Sequence, residues 1–187
     1  MLQRLNNKTF LFFTFAILIL SVFSHASLQK KSAERVKDIF TSIIHNKVKA
    51  KRIVLTEEEI NSYLYFYRSK IFIDDVKWVK VKISNNLIKA RIVMFLKANF
   101  NNSFLALFKG SMLDINSRFK IENLNQKGCF KFDLVSININ NFNLEREFAL
   151  SLISAVSPEF DRYFKGFCPK YNIKRILLRD KKLVLFF

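Results

Sequence analysis

From Val79 to Ile139, apolar residues return at every second position in one run after another. No other feature limits the possible folds of this chain as strongly, because a period of two places one set of side chains on a single face of a strand. Val79, Val81 and Ile83 alternate with Lys80 and Lys82, and Asn85-Asn86 has the composition of a hairpin turn. Ile88, Ala90, Ile92, Met94 and Leu96 then share a face, with Lys89, Arg91 and Lys97 on the other. After a turn at 99–103, Leu105, Leu107, Leu113, Ile115, Phe119 and Ile121 predict one face of a long strand, bent where Gly110 interrupts it. Phe130, Phe132 and Leu134 give way to Val135, Ile137 and Ile139, a slip of one position that marks a bulge. Consecutive long strands predict an antiparallel meander, and the bends curl it.

Helical periodicity flanks this region. Val36, Ile39, Phe40, Ile43 and Ile44 form one stripe. Leu55-Thr56-Glu57-Glu58-Glu59-Ile60 is a capping box with a hydrophobic staple: Thr56 as N-cap, Glu59 three residues on, Leu55 and Ile60 outside it. The three glutamates also suit the positive end of the helix dipole, so capping accounts for them without metal or acid–base chemistry. Ile60, Tyr63, Leu64 and Tyr67 are the buried stripe of that helix. A later helix starts near Leu144 with Asn143 as cap and carries Phe148, Leu152, Ala155 and Val156 on one side. A terminal hairpin turns at Arg179-Asp180-Lys181. The expected fold class is α+β, a long, curled antiparallel β-sheet meander packed around helices.

The amino terminus reads as an address. Arg4 and Lys8 precede the apolar run FLFFTFAILILSVF, and Ser24-His25-Ala26 supplies small residues before Ser27. This is the order of a secretory signal peptide, and the run is short of the roughly 20 residues that span a bilayer. Residues 1–26 are therefore expected to be a signal peptide, or alternatively an anchor, with 27–187 a single exported domain at the periplasmic or extracellular face. Export suits one disulfide between Cys129 and Cys168, the alternative being two buried thiols.

Of 187 residues only 2 are histidine and 3 glycine, which leaves little for histidine catalysis or phosphate loops. His45 lies on the polar side of its helix. Asp74-Asp75 reads as a turn, and Glu145 with Glu147 as first-turn helix acids. No cofactor, metal site or enzymatic activity is expected. Phenylalanine is abundant at 22 residues, five of them in the signal segment, and most of the rest fall on strand or helix stripes.

The net charge of +17 draws anions. Lys170, Lys174, Arg175, Arg179, Lys181 and Lys182 cluster near the end, and Lys77, Lys80, Lys82, Lys89 and Arg91 make a basic sheet face. For an exported chain the partners are anionic membrane surfaces or envelope components rather than nucleic acid. An equal reading is a Lys-, Asn-, Ile- and Phe-rich composition with no charge-specific partner.

The stretch Leu55 to Leu64, Leu-Thr-Glu-x-Glu-Ile-Asn-x-Tyr-Leu, resembles the start of YpmS-like secreted bacterial domains. Gly128-x-Phe130, Val135-Ser136-Ile137-Asn138-Ile139 and Asn141-Phe142 resemble that group's late strand. The resemblance implies kinship with tubular lipid-binding (BPI-like) half-barrels, where a long sheet wraps a helix around an apolar groove. It implies non-catalytic binding of an apolar or lipid-like ligand. The residues expected to line such a groove are Val79, Val81, Ile92, Met94, Leu105, Leu107 and Phe119 on the sheet, and Phe148 and Leu152 on the helix. The second expectation is a protein-interaction or envelope-assembly module that uses the basic face.

Overall fold

The computed structural model describes residues 29–71, 76–96, 106–124, 128–156, 163–169 and 171–187, with backbone alone for 68–71 and 152–156. The signal or anchor segment 1–26, Leu105, Lys170 and the Leu152 side chain lie outside the described residues. The elements run in the order α1 (29–44), β1 (Arg52–Thr56), α2 (Glu57–Ile71), β2 (Val76–Ser84), β3 (Leu87–Phe95), β4 (Met112–Asn123), β5 (Phe130–Ile139), β6 (Phe142–Leu144), α3 (Arg146–Val156), β7 (Arg175–Arg179) and β8 (Lys182–Phe186). The fold is α+β. Among the described residues, no helix is long and apolar enough to cross a membrane.

The period-two region forms the expected antiparallel meander, β2-β3-β4-β5-β6. Its register shifts where Arg118 faces Ser136 but Phe119 faces Leu134, so Val135 is the extra, unpaired residue of the bulge. Asn85-Asn86 turns β2 into β3, with Asn86 at φ 58°. Gly110 is not a mid-strand bend. It sits at φ 77° in the turn before β4, and β4 starts only at Met112. Leu107 is accordingly off the strand and 78% exposed, a correction to its expected place on the sheet face.

Strand β6 is a second departure. Asn140 and Asn141 both adopt positive φ, 49° and 70°, the type I′ geometry that asparagine tolerates and that returns a strand on itself. Asn143 therefore lies in β6, not at a helix cap, and α3 begins at Arg146. The helix presents Ala149 to the sheet, fully buried against Leu134 and Ile137, with Leu150 and Phe164 around it. Phe148 is 42% exposed, which corrects the expected buried face of that helix. Helical geometry separates adjacent residues by about 100°, so burying Ala149 turns Phe148 outward.

The terminal hairpin does not extend the meander. It pairs with β1, giving a separate three-stranded sheet in the order β1-β8-β7. Helix α2 leaves β1 through the capping box: the Thr56 N–H donates to Glu59 Oε2 at 2.8 Å, and the Glu59 N–H donates to Thr56 Oγ1 at 3.2 Å. Glu59 also pairs with Arg35 of α1, and Phe40 meets Tyr63 edge to face at 5.3 Å. Burial pushes the Tyr63 phenol pKa up, helped by neighbouring Tyr67.

Asparagine amides close the strand edges. Asn61 of α2 accepts from the Val81 N–H at 2.7 Å and donates to the Val81 carbonyl at 2.8 Å. Glu57 accepts from the Ile83 N–H at 2.7 Å, and the Lys181 N–H donates to the Ile83 carbonyl at 3.0 Å. Glu57 thus does more than face the helix dipole. On β7, Asn123 binds the Ile176 N–H and carbonyl in the same manner, at 2.8 and 2.9 Å. A side-chain amide copies a peptide unit, so it satisfies an edge strand without inviting another strand to pair.

Cys129 and Cys168 are joined as a disulfide, 39 positions apart. Next to it, Phe130 and Phe167 exchange two backbone hydrogen bonds of 2.8 Å. Their rings lead into an aromatic cluster in which Phe132 stacks on Phe167 and meets Phe119 and Tyr163 edge to face. Several of the abundant phenylalanines thus fill the junction between β5 and the 163–169 segment. Gly128 lies at φ 81°, where a Cβ would stand 2.7 Å from the Ile173 carbonyl oxygen; that close approach requires glycine.

Candidate functional site

The antiparallel register sets the outward face of the meander in transverse rows. Lys82 stands opposite Lys89, and Lys89 opposite Arg118, so three cations lie abreast on β2, β3 and β4, with Ser136 of β5 next in line. The adjacent row runs Lys80, Arg91, Asn116, Asn138 and Asn143 across all five strands. The third begins Trp78, Val93, Asp114. The first two rows, with Trp78 and Asn141, line a cleft of about 790 Å³.

The charges here are unbalanced. Like charges directly opposite on a sheet destabilise it. Among the described residues, no carboxylate forms an ion pair with Lys80, Lys82, Lys89 or Arg118. Arg91 alone is paired. Its Nε and Nη2 donate to Asp114 Oδ1 and Oδ2 at 2.9 and 2.6 Å, and its guanidinium sits 5.5 Å over the Trp78 ring. The hydrogen bonds from Arg91 hold the Asp114 carboxyl below the usual carboxylate range; partial desolvation opposes this, while the Arg91 charge and a bond from Asn116 add to it. Asp114 is further fixed through its backbone N–H, which donates to Asn140 Oδ1 at 2.8 Å.

The sequence-derived basic face is thus largely brought together: Lys80, Lys82, Lys89 and Arg91 line the cleft. Lys77 does not, because the register shifts between Val76 and Trp78, and Trp78 takes the place on β2 that faces the cleft. Arg118 and the amides of Asn116, Asn138, Asn141 and Asn143 escaped the sequence reading. Only the pairing of β3 with β4 and β5 aligns them with the lysines.

The carboxy-terminal cations form a different set. Arg175 and Arg179 lie on β7, Lys182 on β8, Lys181 in the turn between them, and Lys174 before β7; all are exposed on the small sheet.

The expected apolar groove residues divide. Val79, Val81, Ile92, Met94 and Phe119 share the inner face of the meander and are half-buried. Met94 packs on the Leu96, Leu113 and Ile139 cluster, and Phe119 on the Leu134, Ile137 and Ala149 cluster. Leu107 and Phe148 are not on that face, as described above. Among the described residues, no group of three or more His, Cys, Asp or Glu side chains could hold a metal ion. A scan against protein-family models finds none that matches this chain, and a search of curated proteins finds no match.

Proposed function

We propose that this chain is a non-catalytic binding protein of the cell envelope whose ligand is anionic and sits on the outward face of the meander. The observation that carries the reading is the row Lys82, Lys89, Arg118, abreast and without acidic partners among the described residues. A sheet gains nothing in stability from such a row, whereas an incoming anion neutralises all three members at once. The signal-like amino terminus and the Cys129–Cys168 bond support an oxidising, extracytoplasmic setting.

The test uses the full chain with its disulfide intact, titrated with polyphosphate and with phosphatidylglycerol or phosphatidylcholine vesicles at 50 and 500 mM salt. The expected result is binding to an anionic probe that falls at least tenfold across that range and disappears in Lys82→Gln/Lys89→Gln/Arg118→Gln. A matched triple change at Lys174, Arg175 and Lys182 leaves it within twofold. Salt-independent binding, or equal loss in both triples, refutes the site.

A second reading places an apolar or lipid-like ligand on the inner face. It is favoured by the half-buried state of Val79, Val81 and Ile92 and by the resemblance to YpmS-like domains. Native mass spectrometry after expression in a membrane-containing host tests it. A mass equal to the unliganded chain, with no uptake of a fluorescent apolar probe, removes this reading and leaves the first intact.

A further inference from the structure

The cation row has a neighbour that a simple polyanion does not need. Beside it, two positions along each strand, Asn116, Asn138 and Asn143 continue the line that Lys80 and Arg91 begin. Asn141 and Ser136 enter the same cleft. A phosphate chain or a lipid headgroup is held by charge. A carboxamide adds a donor and an acceptor on one planar group, the complement of a hydroxyl that must both give and take a hydrogen bond. The two rows therefore offer different chemistry along parallel lines, roughly 7 Å apart for two residues of strand.

The direction of the rows matters as much as their content. Both cross the strands, so successive side chains are separated by the strand spacing, about 4.8 Å. That is close to the length of one pyranose unit in an extended glycan. The cations do not converge on a point, as they would around a single phosphate; they mark a line. At the start of the third row, next to Lys80 on β2, the Trp78 ring gives the kind of apolar surface on which the C–H face of a sugar packs, with Arg91 fixing one side of the indole.

We infer that the ligand of this cleft is a linear acidic saccharide lying across the strands. Its acid groups, carboxylate or phosphodiester, face Lys82, Lys89 and Arg118. Its hydroxyls face the Asn116, Asn138 and Asn143 amides. This deepens the proposed anion-binding function and rests on it. Each strand crossed accommodates about one sugar unit, so affinity grows with chain length up to four or five units and then levels.

The test is calorimetric titration of the full, disulfide-bonded chain at 100 mM salt. The probes are oligogalacturonates of one to eight units, their methyl esters, a glycosyl-phosphate oligomer, polyphosphate of equal charge and phosphatidylglycerol vesicles. The expected result is at least tenfold tighter binding of the pentagalacturonate or of the glycosyl phosphate than of polyphosphate or vesicles. Esterification abolishes the galacturonate signal, and a plateau appears near five units. Asn116→Ala/Asn138→Ala weakens the saccharide at least tenfold and leaves polyphosphate within twofold. Asn143→Ala, on the short β6, gives a smaller loss of the same kind and guards against a folding defect in the double variant. Equal affinity for polyphosphate, or saccharide binding indifferent to both asparagine variants, overturns this inference while the anion-binding reading stands. Absence of binding to every anionic probe overturns both.

Discussion

Asn61→Ala is the sharpest test of how this sheet ends. The native amide makes two hydrogen bonds to one residue of the edge strand, Val81, at 2.7 and 2.8 Å. Each such bond contributes about 0.5–1.5 kcal/mol net, so losing both costs about 1–3 kcal/mol. Asn61 and Val81 are half-buried, so water reaches the vacated groups in part and the expected cost is about 2 kcal/mol. Urea unfolding monitored by circular dichroism measures it as a lower midpoint with an unchanged slope. Amide hydrogen exchange locates it. Amides of β4 and β5 that exchange through global opening lose about 30-fold in protection, the shared cost of about 2 kcal/mol, whereas Val81 loses more because its edge now also opens locally. Asn61→Asp separates the two bonds. The carboxylate keeps the acceptor for the Val81 N–H but faces the Val81 carbonyl with no donor. Its deficit at pH 7 shrinks below about pH 4, where the protonated acid can donate again. If Asn61→Ala lies within 0.5 kcal/mol of the parent and Val81 exchange is unaltered, the amide is not what closes this edge.

Three further outcomes follow from the geometry. Cys129→Ser/Cys168→Ser opens a ring of about 40 residues, for which the chain-entropy relation gives about 4 kcal/mol; thermal melts should fall by roughly 10 °C, and a drop under 3 °C would show that the Phe130–Phe167 bridge holds the segment alone. Lys89→Gln relieves repulsion from Lys82 and Arg118 and should raise stability by about 0.5 kcal/mol at low salt, a gain that vanishes at 1 M salt; a salt-independent loss would mean that the row is not repulsive. Asp114 has a lowered pKa, owing first to its hydrogen bonds from Arg91. Its contribution is full above the unfolded value near 3.9 and is lost as pH falls through the depressed folded one, so stability attributable to this pair should be flat from pH 8 to 5. Asp114→Asn should remove this acid-range dependence and strengthen anion binding several-fold, as read by titration at low salt.

Local signals were legible where neighbouring residues alone decide the structure. The Thr56/Glu59 box, the Asn85-Asn86 turn and the one-residue slip at Leu134-Val135 all appear in the sequence because each depends on a few adjacent side chains and their backbone. The separation of β1, β7 and β8 into their own sheet was not legible, since Leu55 and Leu183 meet only after the whole meander has intervened. The orientation of Phe148 depended on whether α3 laid Ala149 or its neighbour against Leu134, a choice made by the space available and not by hydrophobicity. Half of the candidate site could be read from Lys80, Lys82, Lys89 and Arg91, which occupy one hairpin. The other half could not, because Arg118 and the asparagines look like ordinary outward-facing residues until the register aligns them.

The β1–β8 ladder sets a schedule for the chain. Arg52 pairs with Phe186, so β1 finds its partner only after the whole meander and α3 have been made. Contacts so distant in sequence form late, because the loop between them must first be closed. The hairpins of the meander, joined by short turns, need no such wait. During synthesis β1 emerges well before β8 and stands unpaired, its apolar Ile53, Val54 and Leu55 without their strand partner until β8 follows. The small sheet is then a closing latch, and deletion of β8 should leave a formed meander beside an open, aggregation-prone strand.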